Sequence, residues 1–511
     1  HFFSQYLLPH PRQLLFVYLG DLLTWLTNEV LAYNLIFLGS LALAFALTYR
    51  LGRKLGWEKS GAVMSALIYT FSQNFFWQGT QHLELVLGAA FIPFLVETLL
   101  AGHFLQSLLA FALVFYSSFN LGYFCLLLFP VFCFFRKEKL TKAFLWIALA
   151  FIVTLPATIP LLRWYFQPKN EPQINEYMST NLTRNTPDEV FRLTARPWDF
   201  LLPSQYHPVF GGIVKTFYEK VNPKMSWQLW SAYLPERAVF WGWTATLLAL
   251  LAFLPFPERN RGATTISRVS RRTLLFLLLF SLWLSLPPYF SLRDHKIPFS
   301  PSYFLVRLVP MFRAYIRINF FTKLFLALLA GQGVVLLTKK WSHPKLIVTV
   351  IITLIIFENL SFIPRLNVNQ LPPLYAWLKG QPANSLVAEY PQDMDLAGGC
   401  DGNLDPKIIK GYSYTYSLNF QRLHQHQIFK TWELPPETQK DLWDLSNPAV
   451  YRFLKNNGVT SIFAHTSDYF AQPPNPFDQC QNRRFYRQEP KVYEKIVKEA
   501  VFPDGIVYRL L

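Results

Sequence analysis

Residues 61–100 read GAVMSALIYTFSQNFFWQGTQHLELVLGAAFIPFLVETLL: two apolar stretches, 61–77 and 84–100, around the polar turn Gln78-Gly79-Thr80-Gln81-His82-Leu83-Glu84. Each stretch has about the 17–25 residues that a helix needs to cross a hydrocarbon core of roughly 30 Å. The pair reads as two membrane-crossing helices, and the turn between them lies at a lip of the bilayer. Polar groups beside the other apolar stretches are mostly Lys and Arg. This turn instead carries an imidazole and a carboxylate two positions apart. Ionisable groups at that depth are costly to keep, and they mark a functional site by default. The plainer reading is that His82 caps the second helix and Glu84 complements its positive N-terminus.

The same grammar extends along the chain. Of its 511 residues 52% are hydrophobic and 17% aromatic, and only 15% are charged. Apolar segments recur at 29–49, 61–77, 84–100, 104–118, 120–135, 143–163, 238–256, 273–290, 316–337 and 345–363. Before them, residues 11–28 place apolar groups at helical spacing around Arg12 and Asp21, as in a helix lying on the bilayer surface. The net charge of +17 would suggest nucleic acid in a soluble protein. Here the basic residues gather in short loops, near 50–60, 136–142, 257–272 and 338–345, which excludes nucleic acid and points to membrane orientation.

With those four loops on the cytoplasmic side, ten spans alternate without conflict. The long polar loops at about 164–236 and 291–315, the His82 turn and the C-terminal part then all lie outside. Residues 1–28 also fall outside, so a cytoplasmic N-terminus requires one further span upstream. The chain begins with His1 rather than Met, in keeping with that expectation of eleven spans in the full protein.

The expected fold class is thus a polytopic α-helical membrane protein, 1–363, followed by a small extracytoplasmic α/β domain, 364–511. In the latter, 372–379 and 447–457 read as helices, and 385–390, 458–465 and 505–510 as strands. Cys400 and Cys480 could pair if this part lies outside the cytoplasm; spacing does not choose between a bridge and two thiols. Cys125 and Cys133 share one apolar segment. No glycine-rich phosphate loop, metal-type Cys/His spacing or nucleophile elbow is present in the sequence.

Four stretches carry a resemblance: LAYNLIFLGSLALAFALTYRLGRKLG at 31–56, GTQHLELVLGAAFIPFLVETLL at 79–100, WDFLLPSQYHPVFG at 198–211 and MFRAYIRINFF at 311–321. Their order resembles the GT-C superfamily of membrane glycosyltransferases, and within it large bacterial proteins described as YfhO-like. The resemblance implies an inverting transferase that moves a sugar from a polyprenyl-phosphate donor to a lipid or glycan acceptor. It implies catalysis on the outer face of a bacterial inner (plasma) membrane, with a divalent cation, Mg or Mn, as a candidate cofactor. It also implies a principal acidic residue in the first outer loop, which is expected upstream of this sequence. Asp21 is the nearest carboxylate here, on the polar side of the surface helix.

Such a reaction needs a base for the acceptor, a counter-charge for the departing phosphate and a greasy groove for the prenyl chain. The sequence offers His82 and Glu84 as catalytic candidates. Arg313 and Arg317, four apart at the mouth of a span, suit a phosphate because the guanidinium fork bonds it bidentately. Their spacing predicts one shared helix face. Asp199 and His207 are substrate-binding candidates from the outer loop. Two other readings fit the same residues: a transporter or flippase of a lipid-linked glycan, and a non-catalytic GT-C relative that assists envelope glycan assembly. A transporter is expected to carry ionisable or helix-breaking groups in mid-span, in repeated halves. No such repeat is evident in the sequence.

Overall fold

The computed structural model describes residues 13–80, 82–137, 140–166, 187–218, 238–254, 271–292, 295–309, 312–361, 373–382, 385–390, 408–411, 427–429, 444–466, 483–486 and 489–511. Helices cover part of every one of the ten apolar segments. A first helix, α1 (Leu14–Leu26), precedes them. The next are α2 (Glu29–Lys54), α3 (Lys59–Thr70), α4 (Gln73–Gly79), α5 (Leu83–Ala101), α6 (Phe104–Ser117), α7 (Phe119–Arg136) and α8 (Leu140–Phe166). After the short helices α9 (Pro187–Arg192) and α10 (Gly211–Thr216) come α11 (Trp243–Leu251) and α12 (Arg271–Ser285). A hairpin, β1 (Tyr289–Leu292) with β2 (His295–Pro298), and α13 (Ser302–Leu308) lead to α14 (Asn319–Lys340) and α15 (Pro344–Asn359). Helices α2, α5, α7 and α8, and α14 with the turn before it, are long and apolar enough to cross a membrane.

Chain contacts divide the protein into two units, 1–168 with 185–362, and 169–184 with 363–511. In the first unit α14 is the central element. Every residue from Asn319 to Val335 is buried, and α3, α5, α11, α12 and α15 all pack on it. Small residues set these approaches. A Cβ on Gly61 would stand 2.6 Å from the Gly331 carbonyl oxygen, and one on Gly331 would overlap the Ser65 hydroxyl. One on Gly333 would overlap the Leu248 backbone. Without a hydrophobic drive between helices in lipid, such close backbone contact is what holds them together. The outward surfaces carry exposed apolar side chains, among them Leu38, Phe134, Phe151, Leu247 and Leu346, as a lipid-facing surface should.

Glu97 is among the buried acids of this unit. Glu97 on α5 accepts from Arg50 Nε at 2.8 Å and Lys54 Nζ at 2.6 Å, both from the last turns of α2. Helix α1 exposes Tyr18 and Trp25, and one carboxylate oxygen of Asp21 is shielded without a hydrogen-bond partner.

The second unit holds a five-stranded sheet in the order β5 (Gln427–Ile428), β3 (Leu386–Tyr390), β6 (Ser461–His465), β9 (Gly505–Leu510), β8 (Ile496–Phe502). The first three strands are parallel and the last two pairings antiparallel. Helix α17 (Pro448–Asn456) is amphipathic and buries Val450 and Leu454, while α16 (Pro373–Lys379) buries Leu374, Tyr375 and Leu378 in a separate cluster with Val387, Phe463 and Val507. A further antiparallel pair joins β4 (Ile408–Gly411) and β7 (Arg483–Tyr486). Cys400 and Cys480 lie outside the described residues.

Candidate functional site

The site forms where α4 ends and α5 begins. Tyr33 of α2 donates its hydroxyl to the Gly79 carbonyl, and Thr80 Oγ1 donates to Trp77 O at 2.7 Å. His82 N donates to Gln78 O at 2.6 Å. These bonds fix the exit of α4 and leave His82 at the N-cap position of α5 with φ −127° and ψ 60°. Its side chain makes no capping bond, so the plainer reading of His82 fails. Instead Nδ1 stands 3.3 Å from Glu84 Oε1, and the two side chains are 28% and 16% exposed. Glu84 occupies the first turn of α5, where the helix field favours a carboxylate.

The other ring nitrogen faces a cation from far along the chain. His82 Nε2 lies 3.4 Å from Arg317 Nη2. A guanidinium can only donate, so Nε2 must present its lone pair, which leaves the ring proton on Nδ1 toward Glu84. The chain 235 residues apart is therefore folded so that Glu84, His82 and Arg317 form one row. Arg317 is delivered by a 3-10 turn, Tyr315–Ile318, at the head of α14. That turn is tied down on several sides. Tyr315 OH meets Tyr123 OH of α7 at 3.1 Å, Ile316 N donates to Leu193 O at 3.1 Å, and Asn319 Nδ2 donates to Ile316 O at 2.7 Å. Phe312 stacks flat on Tyr123 with centroids 3.9 Å apart.

Arg313 does not join this row. The expected shared helix face is absent: residues 312–314 are not helical, Ala314 has φ −90° and ψ 70°, and the α-helix starts only at Asn319. The i, i+4 geometry of a helix therefore never relates Arg313 to Arg317. Arg313 is exposed, and Arg317 is half-buried.

The 198–211 stretch approaches the same turn, since Tyr206 packs on Trp77 with ring centroids 5.6 Å apart. Its two polar candidates are engaged elsewhere. Asp199, 1% exposed, accepts from Arg196 N at 2.8 Å and from Tyr218 OH at 2.7 Å. His207 Nε2 meets Phe357 O at 2.8 Å, and Nδ1 accepts from Val209 N and Phe210 N, both at 3.1 Å. Asp199 ties its own loop together and His207 ties that loop to α15, and neither is seen to pair with His82, Glu84 or Arg317.

Two buried charges beside this region were not singled out from sequence. Lys323, one turn beyond Asn319, donates to the carbonyls of Phe240 at 3.3 Å and Trp241 at 2.5 Å. Glu358 of α15 accepts from Thr244 N at 3.0 Å and Thr244 Oγ1 at 2.6 Å, capping α11 from another helix. A lysine and a glutamate inside otherwise apolar segments were the available signal. Together they hold 240–244, and Trp241 N in turn donates to Phe200 O of the 198–211 stretch at 3.0 Å.

A divalent cation finds little here. Among the described residues no three His, Cys, Asp or Glu are grouped to hold one. His82 and Glu84 offer two donors, and the lone pair of Nε2 already faces a guanidinium. The donor set does not fit a metal, and no step is derived through one.

No family model and no curated protein matches the sequence. The fold, however, has counterparts among solved structures. It is similar to solved structures of the arabinofuranosyltransferase AftD from Mycobacteria, with a TM-score of 0.53 at 13% identity, covering 99% of this chain and 35% of that one. A mutant form of AftD, R1389S, gives a TM-score of 0.53 at 12% identity, covering 99% of this chain and 37% of that one. The chain thus spans little more than a third of the length of the proteins it resembles. With its apolar helices, this fold makes the chain an integral membrane protein.

Proposed function

We propose that the chain is a membrane glycosyltransferase of the GT-C kind that takes a sugar from a polyprenyl-phosphate donor. The observation that carries the reading is the row Glu84–His82–Arg317, brought together from two distant segments at one end of the bundle. In it Glu84 orients the imidazole through Nδ1, and Nε2 takes a proton from an acceptor hydroxyl once the donor phosphate engages the Arg317 guanidinium that faces its lone pair here. Arg317 supplies a fixed positive charge for the phosphate as it leaves. Tyr315, Tyr123 and Asn319 hold the turn that aims Arg317. Asp199 and His207 act on the shape of the outer loop. The similarity to an arabinofuranosyltransferase supports the class, and the exposed apolar surfaces suit a prenyl chain.

The proposed topology sets this site on the outer face of a bacterial inner membrane, with ten spans in this chain and the second unit extracytoplasmic. The inverting course, the YfhO-like placement and the lipid or glycan acceptor belong to the same proposal.

The test is sugar transfer by purified protein in nanodiscs, supplied with a labelled polyprenyl-phosphate sugar pool and lipid acceptors. Label is expected to move to a new product with wild type, and to fall roughly 10²-fold or more with His82→Ala. Movement of intact donor across the bilayer without a new glycosidic bond would favour the transporter reading and overturn this one.

A further inference from the structure

Residues 200–214, FLLPSQYHPVFGGIV, hold no Asp, Glu, Lys or Arg. A stretch standing in water is expected to turn polar groups outward. This one turns out Leu201, Val209 and Ile213, which are 56%, 59% and 72% exposed, while its His207 is buried. The display is built in. His207 Nδ1 accepts from Val209 N and Phe210 N, and Gly211 N donates to His207 O at 2.9 Å. A Cβ on Gly211 would collide with the Gln205 carbonyl, so a glycine is needed for α10 to fold back this closely. Within α10, Val214 is buried and Ile213 is exposed.

The apolar surface does not end at this stretch. On α11, Trp243, Leu247 and Leu250 are exposed at positions i, i+4 and i+7, one face of the helix. That face belongs to the lipid-facing surface of the bundle. Its first residue is joined to the stretch twice. The Trp243 indole donates to Leu201 O at 2.9 Å, and the Phe210 ring meets the Trp243 ring edge-on with centroids 5.0 Å apart. Leu201, Val209 and Ile213 thus carry the α11 stripe on beyond the helix. Lys323 of α14 bonds the Phe240 and Trp241 carbonyls just before α11, and Gly333, further along α14, meets the Leu248 backbone. The two helices therefore run in the same sense, and α11 starts at the end of the bundle where Arg317 stands. Tryptophan at the head of a span suits the boundary between headgroups and acyl chains.

We infer that Leu201, Val209 and Ile213 are sunk in the acyl chains of the leaflet beside the His82 row, so that residues 200–214 form a membrane-inserted segment rather than a loop in water. Continuity with α11 names the occupant: the hydrocarbon that covers Leu247 and Leu250 also reaches the residues joined to Trp243. A segment lying in the interface with its apolar side down enters about 5–10 Å into the boundary of headgroups and chains. Tyr206 of the same segment packs on Trp77, so the lipid surface comes up to the helix that ends at the His82 turn. The inference rests on the membrane fold and is independent of the glycosyl-transfer reading.

The test uses the full chain with Cys125, Cys133, Cys400 and Cys480 replaced by Ser. One of Val209→Cys, Ile213→Cys, Leu247→Cys or Lys495→Cys is added, labelled with the fluorophore NBD and placed in phosphatidylcholine nanodiscs. A nitroxide carried on the upper acyl chain of the lipid is expected to quench labels at 209 and 213 about as strongly as at 247, and severalfold more than at the exposed Lys495 position. Aqueous iodide should give the reverse order. Two labelled positions guard against a local disturbance by either one. Quenching at 209 and 213 that matches the Lys495 position for both quenchers would overturn the inference. Shielding of both positions from both quenchers would place protein on this face, and would overturn it as well. Neither quencher reads sugar transfer, so a chain without that activity would still decide the question.

Discussion

At the scale of single residues, the imidazole of His82 is defined by what stands on each side of it. Glu84 holds one nitrogen and Arg317 faces the other, so each neighbour has a separable effect. Glu84→Gln keeps a hydrogen-bond acceptor but loses the charge that fixes the tautomer, and should lower transfer without changing donor affinity. Arg317→Ala should slow transfer by about 2–4 kcal/mol of transition-state stabilisation. Arg317→Lys keeps the charge and loses the fork, so it should rescue only part of that loss. Donor affinity and single-turnover rate for the three variants check this; an Arg317→Ala protein that binds and transfers like wild type would refute it. Asp504 in the second unit supplies a different test. Burial lifts its carboxyl above its ordinary value of 3.8, against the backbone N–H of Leu374 and the nearby His465, which act to lower it. The folded state therefore holds its proton to higher pH than the unfolded chain. Stability contributed by the protonated form is complete below the unfolded value and is lost as pH rises through the raised folded value. Asp504→Asn should thus stabilise the sheet at neutral pH, with the gain fading at low pH. Amide exchange of β6 and β9 in the full chain, followed from acidic to neutral pH, measures it. An unchanged pH slope in the Asn variant would show that another group carries it.

At the scale of elements, the helices were legible and the turns between them were not. Apolar length specifies a crossing helix because the bilayer leaves backbone groups no other partner, and each of the ten apolar segments is at least partly helical. Strands β3, β6 and β9 follow apolar runs bounded by turn residues in the same way. His82 and Glu84 could be singled out because an ionisable pair stands out in an apolar context. Arg317 could be singled out by its type, but not its relation to Arg313, because the 3-10 turn at 315–318 is imposed by Tyr123, Leu193 and Asn319 rather than by local spacing. Asp199 and His207 look like ligands in a one-dimensional string, and only the fold shows their atoms bonded to Arg196, Tyr218, Phe357, Val209 and Phe210. Small residues carried a signal that sequence composition hid. Gly331 meets Gly61 and Ser65 across the α3–α14 contact, so Gly331→Ala should force the two helices apart and cost about 1–3 kcal/mol. Thermal unfolding in mild detergent checks it, and an unchanged midpoint would mean that the contact is looser than the backbone distances imply.

At the scale of the whole molecule, the direction of each helix ties the two ends of the bundle together. The basic clusters Arg53–Lys54, Arg136–Lys137 and Lys339–Lys340 close α2, α7 and α14 in turn. The His82 row lies where α5 begins and α14 begins. A helix that starts at the row and ends in lysines points its basic end away from the site, and α14 does so with Arg317 at one end and Lys339 and Lys340 at the other. The short basic loops should remain cytoplasmic, since that excess sets orientation. On that proposal the row faces out. Beyond α15, which starts near the Lys339–Lys340 loop, the chain continues into the second unit. In the proposed topology α15 crosses the membrane between Lys340 and Lys495, so cysteines at these positions, in a background without other cysteines, should react with an impermeant maleimide from opposite sides of sealed vesicles. Lys495 should label from the outside in intact cells, and Lys340 only after permeabilisation. Labelling of both from one side would remove the crossing by α15. It would also set the second unit on the side opposite the His82 row, and the proposed outer-face chemistry would lose its topological support.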